Sequence, residues 1–171
     1  MNSKERRNFI KDILKKEEEP LKGNILSEKF GVTRQIIVKD IAILRASGVK
    51  IISTPKGYII PKNKDGRIKK IIALCHSVED IEDELLTIVK WGGIIEDVII
   101  EHKLYGEIKG ILMIKNILDV KNFILKLDDY KNEPLCILTG GIHLHTITAK
   151  DEKSIENILR ELKNKNYLIS D

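Results

Sequence analysis

The stretch from Phe30 to Tyr58, FGVTRQIIVKDIAILRASGVKIISTPKGY, leaves the chain few ways to fold. Thr33 can accept from the free amides of a first helical turn, and Gly48 tolerates the left-handed conformation that ends helices. The spacing therefore predicts a helix of about 14 residues between them. At about 100° per residue, Ile37, Asp40, Ile41 and Leu44 share one side, whereas Gln35, Val38, Lys39 and Ala42 cluster opposite, flanked by Arg34 and Arg45. The first face can anchor, and the second is free to meet a partner. A short Ala and a Gln capable of paired hydrogen bonds suit close approach to base edges, while Arg and Lys suit guanine or phosphate. Lys50 to Ile60 reads as a hairpin whose turn is Thr54-Pro55-Lys56-Gly57, with Lys56 at its tip. The stretch thus predicts a recognition helix and a β-wing, with Arg34, Gln35, Val38, Lys39, Arg45 and Lys56 as DNA-contacting residues. The plainer alternative is an amphipathic helix beside a hairpin that merely packs.

The preceding residues favour the first reading. Ser3 can cap a helix carrying Phe9, Ile10, Ile13 and Leu14, closed by Glu17-Glu18-Glu19-Pro20. A short second helix, about Asn24 to Phe30, would bury Ile25 or Leu26 with Phe30 and end at Gly31. Helix, short helix, turn, helix, hairpin is the order of a winged helix-turn-helix. Charge separates this segment from the rest: residues 1–62 hold 14 Lys and Arg against 7 Asp and Glu, whereas residues 63–171 hold 16 against 19. A basic module attracts polyanions; the mildly acidic remainder can hold a cation or a small ligand. The polar run from Lys62 to Gly66 is the expected linker, dividing a DNA-binding domain (1–62) from a second domain (67–171).

Beyond it, helical and extended patterns alternate. Arg67 to Cys75 reads as a strand, and Ser77 with Asp80 as a capping box for a helix to Lys90 whose stripe is Val78, Ile81, Leu85, Ile88 and Val89. Strands follow over 94–101 and 107–114, then a helix carrying Val120, Phe123, Ile124 and Leu127. A hairpin is expected from Leu135–Leu138 and Ile142–Ala149, then a helix with Ile155, Ile158, Leu159 and Leu162, and a last strand near Tyr167 to Ile169. The expected fold class is α/β (α+β): the winged helix, then an α/β domain with a mixed sheet and helices packed on it. Two cysteines inside apolar runs, Cys75 and Cys136, suit buried free thiols rather than a disulfide scaffold. A charged N-terminus and the absence of a long apolar run predict a cytoplasmic protein with no membrane partner.

All four histidines, His76, His102, His143 and His145, lie in the second domain. His143 and His145 are two apart in a predicted strand, so their rings project from one face, roughly 6 to 7 Å apart along it. His76 stands where a strand gives way to a helix, and on that helix Glu84 falls at the edge of the apolar stripe, where it can lean toward the sheet. Three imidazoles and a carboxylate suit zinc, nickel or ferrous iron. A polar strand face turned to solvent, with His76 as a surface residue, would use the same residues.

The run VTRQIIVKDIAILRASGVKIISTPKGY, followed by His76, the H-x-x-Y-G of His102 to Gly106 and GGIHLHTI, resembles the niacin-responsive transcriptional repressors, which join a winged helix to a three-histidine (3H) domain. The similarity spans essentially the whole chain. It implies a repressor of NAD-biosynthesis and niacin-uptake genes, with nicotinic acid as co-repressor and one divalent transition metal ion per chain, nickel or zinc. By motif match the ligands are His76, Glu84, His143 and His145, while His102 and Tyr105 are expected to contact the effector or a neighbouring subunit. Ser27 departs from the Ala usual in such second helices. An ion that keeps open positions beside four protein ligands could take the carboxylate or ring nitrogen of a pyridine acid. A homodimer on palindromic double-stranded operator DNA is expected. Two alternatives compete: a regulator of the same build answering to another small molecule or to the metal itself, and a metal-dependent hydrolase with Glu84 or Glu101 as general base.

Overall fold

A computed structural model describes residues 2–62, 66–129 and 134–169. Contacts divide the chain into two compact units, Met1–Lys64 and Asp65–Asp171. Most of the expected linker, residues 63–65, lies outside the described residues.

The first unit is three helices and a hairpin: α1 (Ser3–Lys16), α2 (Gly23–Phe30), α3 (Arg34–Ala46), β1 (Ile52–Thr54) and β2 (Gly57–Ile59). Asn2, not Ser3, caps α1: its side chain accepts from the Glu5 amide while the Glu5 carboxylate accepts from the Asn2 amide, closing a reciprocal box one residue earlier than expected. Leu26 of α2 is fully buried and Ile25 stays largely outside, which settles the choice between them. Ser27 returns its hydroxyl to the Asn24 carbonyl at 2.8 Å, so the departure from Ala leaves no unsatisfied group. Thr33 caps α3 as expected, and Ile37, Asp40, Ile41 and Leu44 are its buried residues. Ile37, Ile41 and Leu44 pack with Ile10, Leu14, Leu26 and Ile51 into one core. The buried Asp40 is matched by Arg6 on α1, whose Nε lies 2.6 Å from Oδ2, with Arg7 at 3.4 Å on the other oxygen. The hairpin pairs Thr54 with Gly57. Its second strand also exchanges two backbone hydrogen bonds of 2.9 Å between Tyr58 and Leu21. A Cβ on Gly57 would stand 2.3 Å from the Leu21 carbonyl oxygen, so this wing needs glycine there.

The second unit contains β3 (Ile68–Cys75), α4 (Ile81–Lys90), β4 (Ile94–His102), β5 (Gly106–Ile114), α5 (Ile117–Asp129), β6 (Ile142–Ala149) and α6 (Glu152–Asn164). The expected combination of sheet and helices is present, but the sheet is antiparallel throughout rather than mixed, in the order β3-β6-β4-β5. Residues of α4, α5 and α6 share one core with Ile72, Leu74, Ile95 and Ile147 of the sheet. Three local expectations are corrected. Leu135–Thr139 is a 3-10 helix and not a hairpin strand; Gly140, left-handed at φ 63, ends it and turns the chain into β6. Val78–Asp80 is likewise a 3-10 turn before α4, with no side-chain cap: the Ser77 hydroxyl donates to Asp80 Oδ2. Val78 therefore falls off the buried stripe. Residues 167–169 form a single bridge, Leu74 to Leu168, rather than a full strand. Cys136 is buried, but Cys75 is exposed.

Candidate metal centre and DNA-facing surface

Four side chains from three places in the second unit meet at one carboxylate. Glu84 is the buried acid of α4, 1% exposed in a first turn that also carries Glu82 and Asp83. His76 follows the last residue of β3, and its Nε2 lies 2.9 Å from Glu84 Oε2. His143 and His145 project from one face of β6, which is the second strand of the sheet. Their Nε2 atoms stand 3.6 Å from Glu84 Oε2 and 3.0 Å from Oε1, respectively. One ligand atom each from His76, Glu84 and His143 lies within 4.8 Å of the others, while His145 adjoins the remaining carboxylate oxygen. The imidazoles meet edge to face, with centroids 4.9 Å apart for both His76–His143 and His143–His145. All four side chains are only 1–4% exposed, which rules out a solvent-facing polar strand.

The backbone decides which nitrogen each histidine presents. His76 Nδ1 donates to the Ser77 carbonyl at 2.7 Å, His143 Nδ1 to Gly141 at 2.9 Å and His145 Nδ1 to Asp97 at 2.5 Å. A carbonyl only accepts, so Nδ1 carries the proton, and a neutral ring then turns its Nε2 lone pair toward Glu84. A lone pair beside a carboxylate is repulsive unless a positive charge lies between them. Oε1 of Glu84 is buried without a hydrogen-bond partner among the described residues, although His145 Nε2 is 3.0 Å away. Burial alone would raise the Glu84 carboxyl, but His145, His143 and His76 outweigh it and hold it well below the ordinary range. Burial likewise opposes charge on His76 and His145, yet Glu84 and the backbone carbonyls push both above the usual imidazole value. A buried acid, three imidazoles oriented from behind by carbonyls and an orphaned oxygen form a donor set that fits a divalent transition metal.

Two positioning groups were not found by reading the sequence. A bulge in β4 between Ile95 and Asp97 turns the Asp97 carbonyl to His145, while its carboxylate accepts from the Thr146 amide at 2.9 Å. An Asp inside the β-branched run IIEDVII was the available signal, since a carboxylate there needs a partner. The other is Gly141: a Cβ there would stand 2.4 Å from the His76 carbonyl oxygen, so its bare Cα lets the turn rest on the His76 backbone. His102 is the last residue of β4 and Tyr105 lies in the turn to β5, at the end of the sheet where β6 begins. They engage each other, stacked at 5.2 Å, and do not join the cluster. Tyr105 is 73% exposed.

In the first unit, Arg34, Gln35, Val38, Lys39 and Arg45 all lie on the exposed side of α3. Lys56 sits in the wing turn, its amide donating to Thr54 Oγ1 at 3.1 Å. No helix among the described residues is long and apolar enough to cross a membrane.

Residues 69–171 match the 3H domain family, and residues 6–59 match an HTH domain family. The chain is 46% identical over 167 residues, 98% of its length and 95% of the relative's, to the "Probable transcription repressor NiaR" of Thermotoga maritima. It is 38% identical over 161 residues, 92% of its length and 89% of the relative's, to the "Transcription repressor NadR" of Bacillus subtilis. These relatives are repressors and not enzymes, which sets the hydrolase reading aside. With an HTH domain joined to a 3H domain, this chain belongs to the NadR/NiaR family of transcription repressors.

Proposed function

We propose that the chain represses NAD-biosynthesis and niacin-uptake genes, that His76, Glu84, His143 and His145 hold one nickel or zinc ion, and that nicotinic acid is the co-repressor. The observation that carries the metal reading is the set of three Nδ1 protons committed to backbone carbonyls, with each Nε2 directed at the buried Glu84. When bound, such an ion supplies Lewis acidity and coordination positions that accept a carboxylate or pyridine nitrogen. The protein's own part is to reserve Nε2 of each ring for the ion by committing each Nδ1–H to a carbonyl, to supply a compensating anion and to exclude water. His102 at the end of β4 and Tyr105 in the turn after it, at the same end of the sheet, are the proposed effector contacts. Since the four donors are almost inaccessible, admitting a pyridine acid requires the surrounding segments to shift. That shift is what would give the effector a preference for one state of the protein, and hence leverage over DNA affinity.

On the DNA side, Gln35 and Arg34 read bases, Val38, Lys39 and Arg45 complete the α3 surface, and Lys56 meets phosphate from the wing. The proposed assembly is a cytosolic homodimer on a palindromic operator, its half-sites about one helical turn, or a multiple of it, apart.

The enclosure of the donors also favours a second reading, in which the metal itself is the signal. Fluorescence anisotropy of operator binding separates the two, using metal-loaded protein with and without nicotinic acid and again after chelation. A gain with nicotinic acid that vanishes on chelation supports the co-repressor. Affinity that follows metal and ignores nicotinic acid makes the protein a metal-responsive regulator, and affinity that ignores both overturns the metal-centred reading.

A further inference from the structure

His76 is the least supported of the four cluster residues. Glu84 is carried by a helix and His143 and His145 by an inner strand, but His76 falls after β3 and before the 3-10 turn, where no regular ladder fixes it. Its side chain is nevertheless only 1% exposed. One side of its ring meets the edge of His143. Another meets Tyr167, with centroids 5.1 Å apart and planes inclined at 60°.

Tyr167 is itself held from two directions. Its carbonyl accepts from the Cys75 amide at 2.9 Å, and the Ile169 amide donates to Ala73 at 2.9 Å, so the segment after α6 is pinned along the edge of β3 next to His76. Its hydroxyl lies 2.9 Å from Asp83 Oδ2 and 3.2 Å from Asp80 Oδ1. Asp83 is joined in turn by Lys165, whose Nζ is 2.8 Å from both carboxylate oxygens and 3.1 Å from Thr87 Oγ1. Asp83 immediately precedes Glu84. One aromatic ring therefore touches the first ligand of the cluster and is tied to the turn of helix that carries the second.

We propose that Tyr167 is a positioning residue for the metal centre: its ring holds the His76 imidazole with Nε2 toward Glu84, and its hydroxyl anchors that ring to the start of α4. Groups behind a ligand that fix its orientation typically control affinity by ~10–100-fold without touching the ion. The inference rests on the metal-centre reading above. It adds that the segment following α6 is part of the site.

The test is a Co²⁺ titration of the full chain followed by visible absorption, whose ligand-field bands report which donors surround the ion. Tyr167→Leu and Tyr167→Met both remove the ring while filling its space, and two variants are carried so that one folded protein suffices. Tyr167→Phe keeps the ring, Lys165→Met loosens the same segment without altering it, and His143→Ala is the ligand control. The expected result is ~10–100-fold weaker Co²⁺ binding with altered bands when the ring is absent, most of the affinity restored by Tyr167→Phe, and bands unchanged in Lys165→Met. Wild-type affinity and bands in a ring-less variant would overturn the proposal. So would weaker binding with unchanged bands that Lys165→Met reproduces at matched melting temperature, since that is the behaviour of a residue that only stabilises the fold. Failure of the wild-type chain to bind Co²⁺ would instead remove the metal-centre reading, and the Tyr167 proposal with it.

Discussion

His76 and Glu84 are eight residues apart in sequence, and their side chains meet at 2.9 Å, each only 1% exposed. A carboxylate so enclosed is tolerable only when a positive charge answers it, and an ion held among the three imidazoles would supply one. Substituting Glu84→Gln keeps the shape and removes the anion. Ni²⁺ affinity, measured by isothermal titration calorimetry, should then fall by more than the ~10–100-fold expected for a group outside the coordination shell. An unchanged affinity would mean that the ion binds elsewhere.

Asp40 on α3 plays the matching role in the first unit, buried against Arg6 and Arg7 of α1. Asp40→Ala strands an Arg6 guanidinium that is itself only 10% exposed, at a cost of about 3–5 kcal/mol in urea unfolding. Replacing both partners by apolar residues, Arg6→Met with Asp40→Leu, should recover most of that loss. If the double variant is as unstable as Asp40→Ala, the cost lies in packing rather than in an unpaired charge.

The exposed face of α3 and the wing should fail differently. Gln35→Ala should relax preference at one operator position by roughly 1–3 kcal/mol. Lys56→Ala should weaken every DNA sequence alike and lower the slope of log affinity against log salt by about 1. Titrations of operator and scrambled duplex at several salt concentrations check both; a change of sequence preference in Lys56→Ala would refute this division of labour.

The tether between Asp83 and Lys165 predicts a small pH effect. The hydrogen bond from Lys165 holds the Asp83 carboxyl below its ordinary 3.8, against a weaker opposing effect of burial. Because the folded value is the lower one, the stabilisation is present above 3.8 and is lost as pH falls through the folded value. Asp83 is half exposed, so screening keeps the effect to at most about 1 kcal/mol. Melting curves of the wild-type chain and Asp83→Asn should therefore differ slightly near pH 6 and converge in strong acid. A gap that persists at the acid end would assign the difference to something other than this charge.

Much of the architecture was legible because it rests on short-range periodicity. The buried and exposed faces of α3 follow from helical spacing alone, and the projection of His143 and His145 from one face follows from strand alternation. Leu135–Leu138 misled that reading because an apolar run of four fits a strand or a tight helix equally well; what decided it was the lack of a partner strand among the described residues and the glycine turn into β6. The mixed sheet failed for a related reason: strand direction depends on which strands pair, and pairing spans distances over which local spacing carries no information.

Local pattern was enough to place the basic helix-turn-helix unit, the anchoring stripe of α3, most elements of the second unit and the four residues of the cluster. Contacts across the fold bring His76 to Glu84, aim the imidazoles through the bulge at Asp97 and the turn at Gly141, and set Tyr167 behind the first of them. The forces involved differ in range. Propensity and amphipathic spacing act within a few residues, whereas the protonated nitrogen of each histidine is chosen by whichever carbonyl the fold places behind it. For His145 that carbonyl, on Asp97, lies 48 residues away.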